Sequence, residues 1–353
     1  MATSKAIDRV GSEGRAPVSA SWRALWALTA LFALMMFGRD LLLTRFGGDM
    51  TIVGGAMWGR DFVNVFSSGS LLLEGRLDIL YDVEAYRAYQ VALFDKALLH
   101  HNYSYPPVTL LYTWLFALMP YPLALALWIG GTGALFVAAA RPYLRGAGLP
   151  SWLALAAPAS IINIWAGHYG FLIGALWLLA WHHLPRRPVL GGCLIGLMFV
   201  KPHLAVLAPL VLAWRREWLA IASAAATATL LVGCSAAVFG ADLWITYLTE
   251  TARLQASMVD DLGTFHITIM PTVLPSALQL GASELWAGAA QAVIGLSAVA
   301  LLLLRMPKDS ESAGLATATA TFLVLPYAFS YDMTVAGLAG LILFRASLNS
   351  PSG

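Results

Sequence analysis

The stretch that decides the fold is residues 103–128, YSYPPVTLLYTWLFALMPYPLALALW, in which two apolar runs are separated only by a short turn at Pro120. Pro106 and Pro107 open the first run, where the missing backbone donor of proline is least harmful to a helix. A bilayer-spanning helix needs about 20 apolar residues, and the first run is shorter than that. Short helices interrupted by proline are typical of irregular backbone that lines a cavity inside a membrane protein.

The composition of the whole chain predicts an integral membrane protein. Of its 353 residues, 59% are hydrophobic and 11% are charged, whereas soluble domains are about 45–50% apolar and about 25% charged. The net charge of +2 gives no reason to expect a nucleic-acid partner. Cys193 and Cys234 lie in apolar runs without metal-ligand spacing, so we interpret both as packing residues.

The apolar stretches predict an all-α polytopic membrane protein with about 10–12 membrane segments. The candidates are residues 24–43, 106–119, 121–140, 151–165, 168–184, 188–200, 203–214, 217–239, 286–304, 313–329 and 332–346. The first is too long for a cleaved signal core, and we interpret it as a signal anchor. We predict a disordered cytoplasmic tail over residues 1–20 and a single transmembrane domain over 21–348.

The basic residues predict the orientation in an inner or plasma membrane. Pairs such as Arg186–Arg187 and Arg215–Arg216 mark cytoplasmic ends under the positive-inside rule, and both termini are cytoplasmic by the same argument. The outer side then receives residues 45–105, here called the first loop, residues 240–285, here called the late loop, and the turn at 326–332. If 106–119 crosses the membrane, the loop at Arg141 falls outside. Either that segment is re-entrant or the loop breaks the rule.

The first loop is predicted to be helical, because apolar residues recur in it at helical spacing. We expect these helices to lie along the membrane surface with one face among the headgroups. The loop also contains Arg60 and Asp61 within GRDF. Asp61 could be a solvated carboxylate beside an arginine that binds headgroups, or a general base held at the membrane face. In isolation the pair favours the first interpretation.

Lys201 lies between two apolar half-segments in FVKPHLAVLAP, residues 199–209. A lysine there either extends its ammonium to the interface or binds an anion, and we favour an anion such as phosphate because His203 is close by. His168, His266 and Asp332 are predicted to lie on the same outer side. Their convergence with Lys201 predicts a pocket.

Other polar residues give weaker indications. Tyr105 belongs either to an interfacial tyrosine belt, which we slightly favour, or to the mouth of this pocket. The pair His100–His101 is interpreted as a surface pair in a loop, and His182–His183 is assigned no role. The chain has no nucleotide-binding P-loop, no Gly-x-Ser-x-Gly elbow and no metal-ligand spacing, so we expect no cofactor and assign no metal ligands, while metal dependence stays open.

The order of these motifs resembles glycosyltransferase family 87, the polyprenol-phosphate-mannose-dependent mannosyltransferases of the GT-C superfamily. The resemblance runs from Arg23 to Phe344. It rests on GRDFVNVFSSGSLLLEG and LYD in the first loop, on the stretch 103–128, on GHYG at 167–170, on GLMFVKPHLAVLAPLVLAWRREW and on PYAFSYD. Many relatives have Gly-Gln where this chain has Gly167-His168.

The resemblance implies a GT-C fold, a polyprenyl-phosphate sugar donor and an acidic catalytic base in the first loop, which here is Asp61. It also matches Tyr105 to the Tyr-Pro-Pro motif of the family and Lys201 to its Lys-Pro motif. We therefore assign Asp61 as base in an inverting single displacement. The donor phosphate is assigned to Lys201, His203, His168 and Arg60. The sugar and acceptor pocket is assigned to Asn64, Tyr105, His266, Tyr331 and Asp332.

The partners expected from this assignment are the sugar donor, a lipid or glycan acceptor and membrane lipids. Mannose is the sugar that the family suggests, while arabinose, glucose or another pentose would leave the same residues in place. A transporter or flippase for a lipid-linked or polar substrate is the alternative, although we find no repeated half of the kind that many transporter folds show. A non-catalytic scaffold of the envelope also stays open.

Overall fold

The computed structural model describes residues 20–44, 51–52, 56–94, 101–260 and 269–349. The predicted disordered tail therefore lies outside the described residues, apart from Ala20, which begins the first helix. By the density of their internal contacts, residues 1–42 and 43–353 form two separate compact units. The first unit contains most of helix α1, Ala20–Leu43, and the second contains all the elements discussed below.

The second unit is built almost entirely from helices. They are α2 (Phe62–Leu73), α3 (Val83–Phe94), α4 (Leu110–Ala117), α5 (Tyr121–Gly146), α6 (Pro158–Ala166), α7 (Gly170–His183), α8 (Pro188–Leu197), α9 (Ala208–Trp214), α10 (Trp218–Phe239), α11 (Ala241–Asp260), α12 (Val273–Gln279), α13 (Glu284–Leu304), α14 (Ser310–Val324) and α15 (Thr334–Asn349). Within the described ranges, the only sheet is an antiparallel pair, β1 (Thr51–Ile52) with β2 (Ala56–Met57), in the register Thr51 to Met57 and Ile52 to Ala56. The predicted all-α class is confirmed.

Helices long and apolar enough to cross a bilayer confirm the polytopic membrane class. Over the residues that the structure describes there are four: Trp22–Leu43, Tyr121–Gly146, Trp218–Phe239 and Glu284–Leu304. At about 1.5 Å per residue, even a 21-residue helix is about 31 Å long, which matches a hydrocarbon core of about 30 Å. Leu296 and Leu230 exemplify their outward apolar side chains, with 72% and 66% exposure.

Several predicted segments are broken into pieces too short to cross. Residues 106–119 form a 3₁₀ turn, Pro107–Thr109, followed by the eight-residue α4, which is only about 12 Å long. That length favours a re-entrant segment over a crossing one. The predicted segment 151–165 is likewise interrupted, because Ala157 precedes a proline and takes an extended conformation between a 3₁₀ helix, Ser151–Ala156, and α6.

The prediction that the helices of the first loop lie along the membrane surface is wrong for α2. Most of this helix is buried in protein, including Phe62 and Leu71, each with 0% exposure. Its closest neighbour is α4, and at Gly69 the two backbones approach so closely that an added Cβ would lie 2.5 Å from the carbonyl oxygen of Thr113. The absence of a side chain at Gly69 allows this approach, so α2 forms part of the core that holds Asp61.

This close approach predicts a stability difference between two glycine-to-alanine substitutions. Gly69→Ala forces the backbones of α2 and α4 apart and should destabilise the protein by about 1–3 kcal/mol. Gly130→Ala in α5 is the matched control, because an added Cβ there meets nothing within 4 Å and alanine is the better helix former. Thermal unfolding in one detergent should rank Gly69→Ala below the native protein and Gly130→Ala level with it or above. Equal melting temperatures for both variants would contradict the packing described.

Candidate active site

Three separate backbone segments meet at the N-terminus of α2. The amide of Asp61 donates to the carbonyl of Ala166 at the end of α6, 2.9 Å away. The next residue, Gly167, has a φ of +64° and terminates α6 in the left-handed conformation. A Cβ at Gly167 would lie 2.7 Å from the carbonyl oxygen of Gly59. Glycine at 167 therefore lets the α6–α7 turn contact the turn that presents Asp61.

The third segment is the 3₁₀ turn Ser330–Asp332, which lies against the start of α7. A Cβ at Gly170 would collide with the carbonyl oxygen of Tyr331. The hydroxyl of Thr334 donates to the carbonyl of Gly170 at 2.9 Å, and the amide of Gly170 donates to the side chain of Asn163 at 3.0 Å. These contacts bring Asp332 next to His168 and Asp61.

A buried ion pair between Lys201 and Asp332 lies next to His168, and these three residues are here called the cluster. The ammonium of Lys201 donates to both carboxylate oxygens of Asp332 at 2.8 Å each. Lys201 is 6% exposed and Asp332 is 5% exposed. The chain positions Lys201 by breaking helix α8 and its 3₁₀ extension at this residue, which has φ −138° and ψ 72° and precedes Pro202. A buried charge requires such a partner, and Asp332 supplies it.

His168 joins the ion pair to the tyrosines. Its Nε2 lies 2.7 Å from the hydroxyl of Tyr105, and its ring stacks on Tyr331 with centroids 3.9 Å apart. Its Nδ1 lies 3.6 Å from Asp332, beyond hydrogen-bond range, and this buried nitrogen has no hydrogen-bond partner among the described residues. The imidazole is therefore held through Nε2, while the buried Nδ1 lies beside Asp332 without a hydrogen bond to it.

Asp61 is the candidate base at the edge of this cluster. It precedes α2 but makes no capping hydrogen bond with its side chain, so the carboxylate does not serve the helix. Its side chain is 26% exposed. Desolvation by the surrounding protein raises the pKa of Asp61 to about 7, with the charge of Asp332 adding to the rise and those of Lys201 and Arg60 opposing it.

Arg60 lies beside Asp61 in an uncommon backbone conformation, with a φ of 23°. Its guanidinium stacks over the ring of Trp165, 3.9 Å from the centroid. This cation–π contact fixes the arginine next to the base. The structure therefore keeps the Arg60–Asp61 pair at the site instead of leaving both side chains solvated, as the sequence in isolation had favoured.

A cavity of about 490 Å³, here called the main cavity, opens beside the ion pair. It is lined by Ser104, Tyr105, Pro106, His168, Val200, Lys201, Pro202, His203, Tyr247, Leu325, Pro326, Tyr327, Ala328, Phe329 and Tyr331. Five of the assigned residues are therefore in its wall, among them His203, which is exposed. Asp61 is not a lining residue of this cavity, but its carboxylate accepts a hydrogen bond from Tyr331, which is one. The remaining wall is largely apolar and aromatic.

Two assigned residues do not join the cluster. The side-chain amide of Asn64 donates to the carbonyl of Asn102, and its oxygen accepts from Tyr86 and Gln90 at 3.1 and 3.3 Å. These bonds tie the first loop together and leave Asn64 outside the wall of the main cavity. His266 lies outside the described residues.

The sequence interpretation missed His101. We interpreted it as part of a surface pair, but its side chain is only 10% exposed, and its Nδ1 lies 3.8 Å from a carboxylate oxygen of Asp61. Asp61 and His101 are 40 residues apart in the sequence. No local residue spacing predicts a contact between them. Tyr105 is 6% exposed and lines the main cavity, a position that favours the pocket interpretation over the interfacial belt.

Comparison with known proteins gives one match. The sequence profile of glycosyltransferase family 87 matches residues 103–327, more than half of the chain. No curated protein matches the chain, and no solved structure matches it either. The matched region includes Tyr105, His168 and Lys201 and ends five residues before Asp332.

Proposed function

The chain belongs to glycosyltransferase family 87 and is a membrane glycosyltransferase, and we propose that it transfers mannose from a polyprenyl phosphate to a hydroxyl of a lipid or glycan acceptor. The observation that carries this proposal is the carboxylate of Asp61 beside a buried cluster of Lys201, Asp332 and His168, with its pKa raised to about 7. A base with a pKa near the working pH is efficient at taking a proton from an attacking hydroxyl. Family membership favours an enzyme over the transporter alternative.

The proposed reaction is a single displacement at the anomeric carbon. The acceptor oxygen forms the new bond to C1 while its proton passes to Asp61. The bond between C1 and the phosphate oxygen breaks, and the polyprenyl phosphate leaves with the electron pair. Because attack and departure occur on opposite faces of the sugar, the anomeric configuration inverts. No metal is needed to activate this leaving group, since a phosphate already carries the charge well.

The donor phosphate is proposed to lie in the main cavity, near Lys201 and His203. Asp332 holds the ammonium of Lys201 in place with two hydrogen bonds, so the cation is fixed before the donor arrives. Fixed charges stabilise the negative charge that develops on a leaving group better than mobile ones, which is worth several kcal/mol. His168, which lines the main cavity, is proposed to contribute to binding of the donor phosphate.

The other assignments follow from the same placement. Tyr331 lines the main cavity, and its ring is stacked by His168 and Phe329. Its hydroxyl is hydrogen bonded to Asp61, and Tyr105 fixes His168. Arg60 is proposed to contribute to binding of the donor phosphate. The apolar wall around Leu325 and Phe329 suits the first isoprene units of the donor. We propose that this site faces the periplasmic or extracellular side of the inner membrane, with both termini in the cytoplasm.

A reconstituted transfer assay tests the function. The native protein in liposomes would receive radiolabelled polyprenyl-phosphate mannose and a lipid extract as acceptor, with the same donor carrying glucose and arabinose in parallel. Label should pass to the acceptor from one donor, and the product linkage should have the opposite anomeric configuration by NMR. Donor binding without transfer from any of the three, together with movement of the donor across the bilayer, would favour the transporter alternative.

The raised pKa of Asp61 predicts the pH dependence of transfer. Only the carboxylate can accept a proton, so the rate should fall about tenfold for each pH unit below the folded-state pKa of about 7. The measurement is kcat/KM for the donor from about pH 5 to 9, with donor binding followed over the same range as a control. A rate that stays level down to about pH 5, as the ordinary aspartate pKa of 3.8 would give, would contradict the desolvation of Asp61.

A further inference from the structure

A second cavity of about 280 Å³ lies between the first loop and α11. Its walls are the described residues Leu80, Tyr81, Val83, Tyr86, Tyr103, Glu250, Thr251 and Arg253. None of these residues belongs to the cluster around Asp61 or to the wall of the main cavity. Pockets for drug-sized ligands have volumes of about 300–1,000 Å³. The second cavity is slightly smaller than that range, so its volume suits one small ring.

The two cavities share a wall of tyrosines. Tyr103 of the second cavity contacts Tyr105 of the main cavity with centroids 5.5 Å apart, and Tyr81 contacts Tyr247 at 5.6 Å. The hydroxyl of Tyr81 also donates to the carbonyl of Tyr105 at 2.8 Å. A molecule in the second cavity is therefore adjacent to one in the main cavity, as two reactants of a transfer must be.

Three aromatic rings of the second cavity are held rigidly. Tyr81 is fixed by its bond to Tyr105, Tyr86 donates to Asn64 at 3.1 Å, and the hydroxyl of Tyr103 is hydrogen bonded to Thr109. With their hydroxyls engaged, these residues present ring surfaces. Rings that are already ordered lose little conformational entropy when a ligand binds.

The opposite side of the cavity is polar and is supplied by α11. Arg253 and Glu250 form an ion pair of 3.0 Å, with side chains 77% and 40% exposed. Thr251 is 5% exposed, and its hydroxyl has no hydrogen-bond partner among the described residues. Thr246 and Thr249 on the same helix behave differently, because each donates to the carbonyl one turn earlier at 3.0 Å.

We propose that the second cavity binds a sugar residue of a glycan acceptor, an inference that rests on the proposed transferase function. The apolar C–H face of a pyranose or furanose ring packs on tyrosine rings, while its hydroxyls need both donors and acceptors. Arg253 donates, Glu250 accepts and Thr251 does both. The paired charges favour a neutral ligand, since Glu250 repels an anionic headgroup and the ion pair is a poor surface for an acyl chain.

A binding measurement independent of transfer tests this site. The probes are methyl α-mannoside, methyl α-glucoside, methyl α-galactoside and methyl arabinofuranoside, followed by saturation-transfer NMR on the whole protein in nanodiscs free of sugar-based detergent. The test variant is Glu250→Gln with Thr251→Val. Thr249→Val is the matched control, because it removes a threonine hydroxyl from an exposed position on the same helix.

At least one glycoside should bind the native protein and Thr249→Val alike, and the double variant should bind it at least about tenfold more weakly. Excess donor should not displace the bound glycoside. Absence of binding to the native protein, equal binding to the double variant or displacement by donor would each overturn the assignment. The outcome is separable from the function itself, because a protein that binds glycosides here but transfers no sugar refutes the transferase proposal and leaves the binding site in place.

Discussion

Asp61→Asn should reduce sugar transfer about a thousandfold or more while donor binding survives. The amide is isosteric with the carboxyl but cannot accept the acceptor proton, so the displacement loses its base. The backbone bond from Asp61 to Ala166 and the start of α2 do not depend on the carboxylate. Because Asp61 is an acid whose pKa is raised on folding, its ionised form lowers stability as the pH rises from the ordinary value of 3.8 towards 7. The variant should therefore be no less heat-stable than the native protein at neutral pH.

Asp78→Asn is the matched control for this substitution. Asp78 lies in the same loop, is exposed and is a member of the short 3₁₀ helix Leu77–Ile79. Both variants lose one negative charge from the first loop, and only one loses the proposed base. Rates from single-turnover transfer, with donor affinity measured separately, distinguish the two. A similar rate for native protein and Asp61→Asn would remove Asp61 from the mechanism, and His101, the titratable side chain 3.8 Å away, would become the next candidate base.

The convergence of the site could be predicted from the sequence because it follows from membrane topology. Lys201, His168 and Asp332 each stand at the end of an apolar segment, and the positive-inside rule assigned those ends to one side. The structure brings the three together around Tyr331. Which side chains pair with one another cannot be predicted in this way, because segment ends on the same side of a membrane can still be far apart.

The ion pair between Lys201 and Asp332 could not be predicted, since 131 residues separate the partners. The sequence indicated a lysine that needs an anionic partner, and we predicted that this partner is a phosphate. In the structure the ammonium is already paired with the carboxylate of Asp332. The pairing depends on the close approach of α7 to the turn at Tyr331, which only the absence of a side chain at Gly170 permits. A single glycine carries no signal of what its backbone will touch.

The first loop shows the same limit of sequence patterns. Helical spacing of apolar residues in α2 correctly predicted a helix, but a half-apolar helix packs equally well on headgroups or on protein. Gly69 favours packing on protein, because the absence of a side chain there lets α4 approach the backbone of α2. Asn64 is buried on a different face of α2, where its side-chain amide is hydrogen bonded to Asn102, Tyr86 and Gln90. A polar residue in a predicted surface helix thus turned out to be structural.

Removing either partner of the buried ion pair should destabilise the protein by about 3–5 kcal/mol. Lys201→Met leaves the Asp332 carboxylate buried and opposed only by more distant cations. Asp332→Leu leaves the Lys201 ammonium in a site with 6% exposure. Both single variants should therefore melt well below the native protein. Each should also lose transfer, but loss of folding alone would explain that result, so neither single variant tests the role of the cation.

The double variant, Lys201→Met with Asp332→Leu, separates stability from chemistry. Replacing a buried ion pair by apolar side chains of similar size is often neutral or stabilising, so the double variant should recover most of the stability that each single change removes. It should still fail to transfer sugar, because no fixed cation faces the phosphate at that point in the main cavity. Melting temperatures of the four proteins complete a double-mutant cycle, and transfer rates are compared only for the native protein and the double variant. A double variant that recovers both folding and transfer would show that the ion pair is only structural. His203 and Arg60 would then be the remaining candidates for stabilising the departing phosphate.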